Sequence, residues 1–246
     1  MALRIFWLVP LLLLGLAVAP APAETLTPDQ KSAIEQLIRD TLLNHPEIVV
    51  DALKKAQKDS EAAAAETAKK NIVLLHDKLV ADPQSPVAGN PAGDVTIVEF
   101  FDYRCPYCKQ VEPSLEALLK EDGKIRLVYK EFPILGPASV FAAKLALAAR
   151  SQGKYDDFHR IMMAQKGNID EAVIVRNASA VGLDLTSLRE AAGKPEIEAL
   201  IKENYKLGKA LDIEGTPAFI IGDTLVPGVA DIDSLRQLVA AARKGG

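Results

Sequence analysis

The sequence predicts an α/β layered domain with an inserted helical block, preceded by a helical extension. Three observations carry that expectation. An apolar run rich in β-branched and aromatic residues, Val95–Phe101, leads into helical spacing and then into a second strand-like run at 124–132. From about 137 to 211 the chain reads as helix with no strand signal. Strand chemistry then returns at 215–221 and 224–226, and a final helix follows.

The 246 residues carry a formal charge of −4, with no basic excess that would suggest nucleic acid. That length supports one sizeable core and an accessory segment. Residues 1–23 read as a cleaved signal peptide. Arg4 supplies the positive region, 5–18 the apolar core, and Ala21-Pro22-Ala23 the small-residue cleavage site. No cysteine near that site offers a lipid attachment point. An exported chain starting at Glu24, with charge −5, is expected, and its lone cysteine pair can be oxidised there.

Residues 24–81 read as a helical self-association module and stalk. Thr27 can cap a helix over 26–44 whose apolar stripe is Ile34, Leu37, Ile38 and Leu42. Pro46 opens a longer helix to about residue 80. Ile48, Val49, Ala52, Leu53 and Ala56 form one apolar patch, and Ile72, Leu75 and Leu79 another. Between them, 54–70 is Ala, Glu, Lys and Gln, a solvated rod by composition. A short amphipathic hairpin cannot bury its stripe alone, so association of identical copies through 26–56, as dimer or trimer, is expected; folding back onto the second domain is the alternative. His45 and His76 read as ordinary helix residues, with no second ligand at i+4.

Residues 82–246 read as the second domain, entered through Asp82-Pro83-Gln84-Ser85-Pro86. Val87-Ala88 suggests a short edge strand. Strand, helix and strand from 95 to 132 make a βαβ unit with a parallel pair. The inserted block divides into helices at 141–149, 155–163, 171–181, 184–192 and 196–209. Within it Met162 and Met163 read as core filler and His159 as a partly exposed helix residue. Gly222-Asp223 joins the last two strands as a hairpin, and Asp231 caps the last helix.

Cys105 and Cys108, the only cysteines, sit where the 95–101 strand gives way to a helix marked by Val111, Leu115, Leu118 and Leu119. Cys105 falls near the N-cap and Pro106 in the first turn. Unpaired N–H groups and the helix dipole favour a thiolate at Cys105, and Cys108 lies one turn on, within reach of a disulfide. The chemistry that follows is a redox dithiol in which Cys105 attacks and Cys108 resolves. A disulfide that merely holds the turn and a two-thiolate site for Cu(I) are the other readings. A structural zinc site would need more ligands than two cysteines provide. No cofactor and no resident metal are expected.

Alternation puts Glu99 on one face with Ile97 and Phe101, in a strand that should be covered on both sides. A buried carboxylate there would have a raised pKa. An exposed residue, or one salt-bridged to Lys130, is the alternative.

The Cys105-Pro106-Tyr107-Cys108 motif after Glu99-Phe100-Phe101, the run Tyr129-Lys130-Glu131-Phe132-Pro133-Ile134-Leu135-Gly136, and Gly215-Thr216-Pro217 resemble the DsbA-like branch of the thioredoxin fold. The extension most resembles the oligomeric ScsC-like or Com1-like disulfide isomerases. The resemblance implies a thioredoxin fold with a helical insertion at about 137–211. It implies Thr216-Pro217 as a cis-proline loop facing the dithiol, with Pro106, Tyr107, Thr216 and Pro217 meeting substrate and Glu99 relaying a proton to or from Cys108. It implies a periplasmic disulfide isomerase acting on cysteine-containing exported clients and kept reduced by a membrane thiol reductase of the ScsB or DsbD kind. A DsbA-like oxidase and a copper-tolerance thiol protein are the alternatives.

Overall fold

The structure is a computed structural model and describes residues 26–245. The expected signal peptide, 1–23, lies outside the described residues. The chain divides into two compact units, with the boundary after Gln57.

In the first unit, helix α1 spans Pro28–Asn44. Thr27 starts it with a reciprocal capping box: its Oγ1 accepts from the Gln30 N–H at 3.3 Å, and Gln30 Oε1 accepts from the Thr27 N–H at 2.9 Å. No residue of α1 is buried. Leu37, Ile38 and Leu43 are exposed, as are Ile48, Val49 and Leu53 at the start of helix α2, Glu47–Leu74.

The second unit begins at Lys58, within α2. It therefore includes the end of α2 and helix α3, His76–Val80, and the proline-rich segment at 82–86 lies inside this unit. The reason is apolar burial: Ile72 and Leu79 are 3 % and 0 % exposed. The long helix expected from Pro46 to about 80 is interrupted at Leu75.

Five strands form one sheet in the order β1-β3-β2-β4-β5. They are β1 Val87–Gly89, β2 Val95–Phe101, β3 Ile125–Glu131, β4 Ala218–Ile221 and β5 Thr224–Pro227. β2 and β3 run parallel, joined by helix α4, Pro106–Asp122; the other pairs are antiparallel. α4 stops at Gly123, which takes the left-handed conformation (φ 64°) a side chain would resist, and donates its N–H to the Leu119 carbonyl. Gly222 (φ 62°) makes the expected two-residue hairpin between β4 and β5.

Five helices form the insertion: α5 Pro137–Ala149, α6 Tyr155–Ala164, α7 Glu171–Ala180, α8 Leu185–Ala192 and α9 Pro195–Ala210. Asp170 and Asp184 cap α7 and α8. Helix α10, Ile232–Gly245, ends the described chain, and the Asp231 carboxylate accepts from the Ser234 N–H at 2.8 Å in its first turn. This is the thioredoxin-like α/β architecture with an inserted helical block and a preceding helical region.

The period of two along β2 separates two cores. Ile97 and Phe101 pack with Val111 and Leu115 of α4, Phe158 and Met162 of α6, and Leu235 of α10. Val98 and Phe100 pack on the opposite side with Ile72, Leu79, Leu207 and Leu211. Met162 and Met163 are core residues, as expected.

Candidate functional site: a buried dithiol

The loop between β2 and α4 is clamped by one carboxylate. Asp102 is 1 % exposed and accepts from the N–H of Arg104 at 2.7 Å, the N–H of Leu135 at 2.9 Å and Ser139 Oγ at 2.8 Å. It therefore fixes Cys105 relative to the start of α5. The sequence offered no such role, because Leu135 and Ser139 are distant in the chain.

Cys105 is the N-cap of α4 with extended backbone (φ −73°, ψ 118°), and Pro106 occupies the first turn. Both cysteines are free and buried. The Cys105 thiol lies 3.1 Å from the Thr216 carbonyl, to which it donates when protonated. The Thr216-Pro217 bond is cis. The fold thus brings Cys105 and Cys108 together with Thr216 and Pro217, across a separation of 111 residues between Cys105 and Thr216.

The two sulfurs differ in acidity. Cys105 is lowered to about 5, first by a hydrogen bond from Cys108 and further by the Thr216 side chain and the N–H groups of Tyr107 and Cys108, against the opposing effect of burial. Cys108, fully buried, is raised, first by burial, then by the hydrogen bond to Cys105 and by the charge of Glu99. One sulfur is a ready thiolate and the other a held thiol.

Glu99 is fully buried on the dithiol side of β2, and neither carboxylate oxygen has a hydrogen-bond partner among the described residues. Its pKa stands well above the ordinary carboxylate value because of burial, then the charges of Glu112, Glu131 and Cys105. The alternative pairing with Lys130 does not occur. Lys130 projects into the other core, where its ammonium donates to the Lys78 carbonyl and Ser85 Oγ, both at 2.7 Å, with Asp82 at 3.5 Å.

Behind the dithiol lies a polar cluster. Glu131 Oε1 accepts from Tyr103 and Tyr155, each at 3.0 Å, and burial raises that carboxyl. His159 is 2 % exposed, not partly exposed as its sequence context suggested. Its Nδ1 is 3.1 Å from the Tyr103 hydroxyl, and its ring stacks at 5.8 Å on Tyr155. The helical stripe Tyr155, Phe158, His159, Met162 and Met163 was the signal available in the sequence.

Tyr107, between the two cysteines, is 58 % exposed, and Ile134, Leu135 and Val229 also show apolar surface. A cleft of about 320 Å³ runs along Glu214, Thr216, Pro217 and Gly228. Another, of about 570 Å³, is lined by Arg104, Pro106, Lys109 and Lys166. Lys109 donates to the Met162 and Met163 carbonyls at the end of α6, and burial lowers its pKa to about 8. Among the described residues, no group of three or more His, Cys, Asp or Glu is placed to hold a metal.

Residues 96–240 match the DSBA-like thioredoxin domain, and residues 30–63 match the copper resistance protein ScsC N-terminal domain. A thioredoxin-like oxidoreductase from Silicibacter pomeroyi is 46 % identical, with a TM-score of 0.68 over 69 % of this chain and 98 % of that one. Proteus mirabilis ScsC in a transitional conformation is 28 % identical, with a TM-score of 0.67 over 90 % of this chain and 100 % of that one. Among curated proteins, a Na(+)/H(+) antiporter NhaA 1 of Salinispora arenicola is 31 % identical over 65 % of this chain, and the match spans 25 % of that relative's length. With the dithiol, the cis-proline loop and the helical insertion in place, the chain belongs to the DSBA-like thioredoxin-domain family.

Proposed function

We propose that this protein is a periplasmic thiol–disulfide oxidoreductase that acts as a disulfide isomerase on cysteine-containing exported proteins. The observation that carries the reading is the pair of unlike thiols: Cys105 is acidic at about 5, Cys108 is raised, and Thr216 stands against Cys105. Cys105 is the nucleophile. Its thiolate attacks one sulfur of a client disulfide, a new S–S bond forms, and the client's other sulfur leaves as thiolate. In isomerisation a client thiolate then attacks the mixed disulfide and returns Cys105 as thiolate. In net transfer Cys108 attacks instead, gives its proton to Glu99, and leaves the Cys105–Cys108 disulfide. Pro106, Tyr107, Thr216 and Pro217 hold the client strand.

A membrane thiol reductase of the ScsB or DsbD kind would return the disulfide to the dithiol. The exposed apolar residues of α1 and the start of α2 support self-association of the 26–56 region, which would set several dithiols around one client. The oxidase reading draws support from the same acidic Cys105, since a stabilised thiolate favours the reduced form and makes the disulfide a stronger oxidant. A Cu(I) site on the two sulfurs draws support from the match to the copper resistance domain.

Refolding of scrambled ribonuclease separates these. Isomerase function predicts recovery of activity by the native chain and loss of it in the doubly substituted Leu37→Glu, Leu53→Glu protein, which light scattering should report as monomeric. Oxidation of reduced ribonuclease without isomerisation by either protein supports the oxidase. Tight Cu(I) binding without either activity supports the copper reading.

A further inference from the structure

Two clefts adjoin the Cys105 loop, and they are lined by opposite charge. The smaller is bounded by the cis-proline loop and β5. Its lining includes Asp212 and Glu214 but no Lys or Arg, and it includes Thr216, whose carbonyl lies 3.1 Å from the Cys105 sulfur. The larger, of about 570 Å³, lies between the start of α4 and the connection from α6 to α7. Its lining includes Arg104, Lys109 and Lys166 but no Asp or Glu, and it includes Pro106, which directly follows Cys105. The two clefts have no lining residue in common. The chain as a whole is acidic, with a formal charge of −4, so three cations on one cleft run against its composition.

These cations have donors to spare. Lys109 gives two of its three ammonium protons to the Met162 and Met163 carbonyls at the end of α6. Arg104 gives one of its five N–H groups to the Leu135 carbonyl. Lys166 is exposed, and only its backbone carbonyl is engaged, by Gln165. None of the three meets a carboxylate among the described residues. Asp170, the one acid on the α6–α7 connection, is occupied as the cap of α7, where it accepts from the Val173 N–H at 2.9 Å.

A partly buried ammonium without an anion is an incomplete arrangement. Burial lowers Lys109 to about 8, while the charges of Cys108, Asp102 and Cys105 act in the opposite sense, so the ammonium is within electrostatic reach of both sulfurs. Capping of α6 accounts for two of its protons. It does not account for Arg104 and Lys166 on the same cleft. A guanidinium and two ammonium groups with free donors are matched by carboxylates. The volume is that of an ordinary ligand cleft.

We propose that the cleft between α4 and the α6–α7 connection is a subsite for acidic residues of the client, on one side of the cysteine that Cys105 attacks. This rests on the reading of Cys105 as the nucleophile toward client disulfides. Client carboxylates take the remaining donors of Arg104, Lys109 and Lys166 while the client sulfur is presented to Cys105. Acid on the other side of the client cysteine meets Asp212 and Glu214 and is disfavoured. The three cations determine which disulfide is presented and take no part in breaking it.

The test uses the full chain and three short peptides, each with its single cysteine carried as the 2-pyridyl disulfide. The Cys105 thiolate attacks the peptide sulfur, an S–S bond forms between them, and pyridine-2-thiolate leaves, takes a proton and is read as the absorbing thione. This leaving group carries no carboxylate of its own. One peptide is neutral, one has two glutamates before the cysteine, and one has two after it. Each rate is divided by the rate of the same peptide with 2-mercaptoethanol, which removes differences in intrinsic reactivity. At low salt, one acidic peptide should react about tenfold faster than the neutral one and the other no faster, and the gain should shrink at high salt. Lys166→Glu should bring the ratio of the favoured acidic peptide to the neutral one down to about one. Lys166 lies exposed on a loop, so this variant folds. Lys120→Glu makes the same change of charge at the far end of α4 and should keep the ratio. Equal gains for the two acidic peptides, or equal losses in the two variants, would show general electrostatic attraction and overturn the subsite. Equal rates for all three peptides would overturn it as well and leave Cys105 standing as the nucleophile. If the native chain attacks none of the peptides, the reading of Cys105 itself is wrong.

Discussion

Two buried ionisable side chains, Glu99 of β2 and Lys130 of β3, sit in adjoining strands and face opposite sides of the sheet. On the Lys130 side the charge is fully provided for: a carbonyl, a hydroxyl and a carboxylate surround the ammonium. On the Glu99 side the carboxylate meets no donor among the described residues, and further carboxylates raise its pKa. A buried group with all its partners stabilises a structure; one without them is a cost that folding alone does not explain. The unpartnered group lies on the side of the dithiol. On the proposed function, one face carries stability and the other proton chemistry.

The strongest way to break that assignment is at the sulfur itself. Cys105→Ser should lower the rate of insulin reduction by about a thousandfold or more, since a serine hydroxyl does not exchange with disulfides. Its thermal midpoint should stay within about 3 °C of native. A large loss of stability would mean that the dithiol side is structural after all.

Lys130→Met strikes the other face. It leaves Asp82 and Ser85 without their cation and should cost about 2 kcal/mol in denaturant unfolding, less than a fully enclosed pair because Asp82 keeps 22 % exposure. The Cys105 titration, followed by thiolate absorbance, should remain at about 5.

Glu99→Gln sharpens the contrast through pH. The folded protein holds the Glu99 proton above the ordinary value of 4.5, so it binds more protons than the unfolded chain there, and native stability contributed by this group is lost as pH rises above that value. Glutamine does not titrate. The variant should therefore gain stability relative to the native chain as pH increases from about 4.5. A constant difference across pH would show that Glu99 titrates normally.

The smallest effect is expected at the rim. Tyr107→Ala removes an exposed ring and should weaken client binding a few-fold, read in KM, with thermal stability unchanged within about 0.5 kcal/mol.

Much of this contrast was legible in the sequence, and the missing part has a common cause. The β2 run, the N-cap position of Cys105, the hairpin at Gly222 and the Asp231 cap are local patterns, and local patterns can be read along the chain. Glu99 stood out because a charge interrupted a run of buried strand residues. Asp102, Glu131 and His159 did not, because each is placed by residues far away: Leu135 and Ser139, Tyr103 and Tyr155, Tyr103 and Glu112. For Lys130 the difficulty was which face it occupied relative to its partners, since Lys78, Asp82 and Ser85 belong to a segment whose composition suggested only a stalk and linker. Ile72 and Leu79 were recognised as an apolar patch, but its destination, the second core of the sheet, emerged only in three dimensions.

The most direct test of the two-face account is the pH profile of single-turnover thiol–disulfide exchange, measured for the native chain, Glu99→Gln and Lys130→Met under conditions where all three are folded. The account predicts a displaced or flattened profile for Glu99→Gln and a Lys130→Met profile that superimposes on the native one. An unchanged profile for Glu99→Gln, or an equal displacement for Lys130→Met, would contradict it.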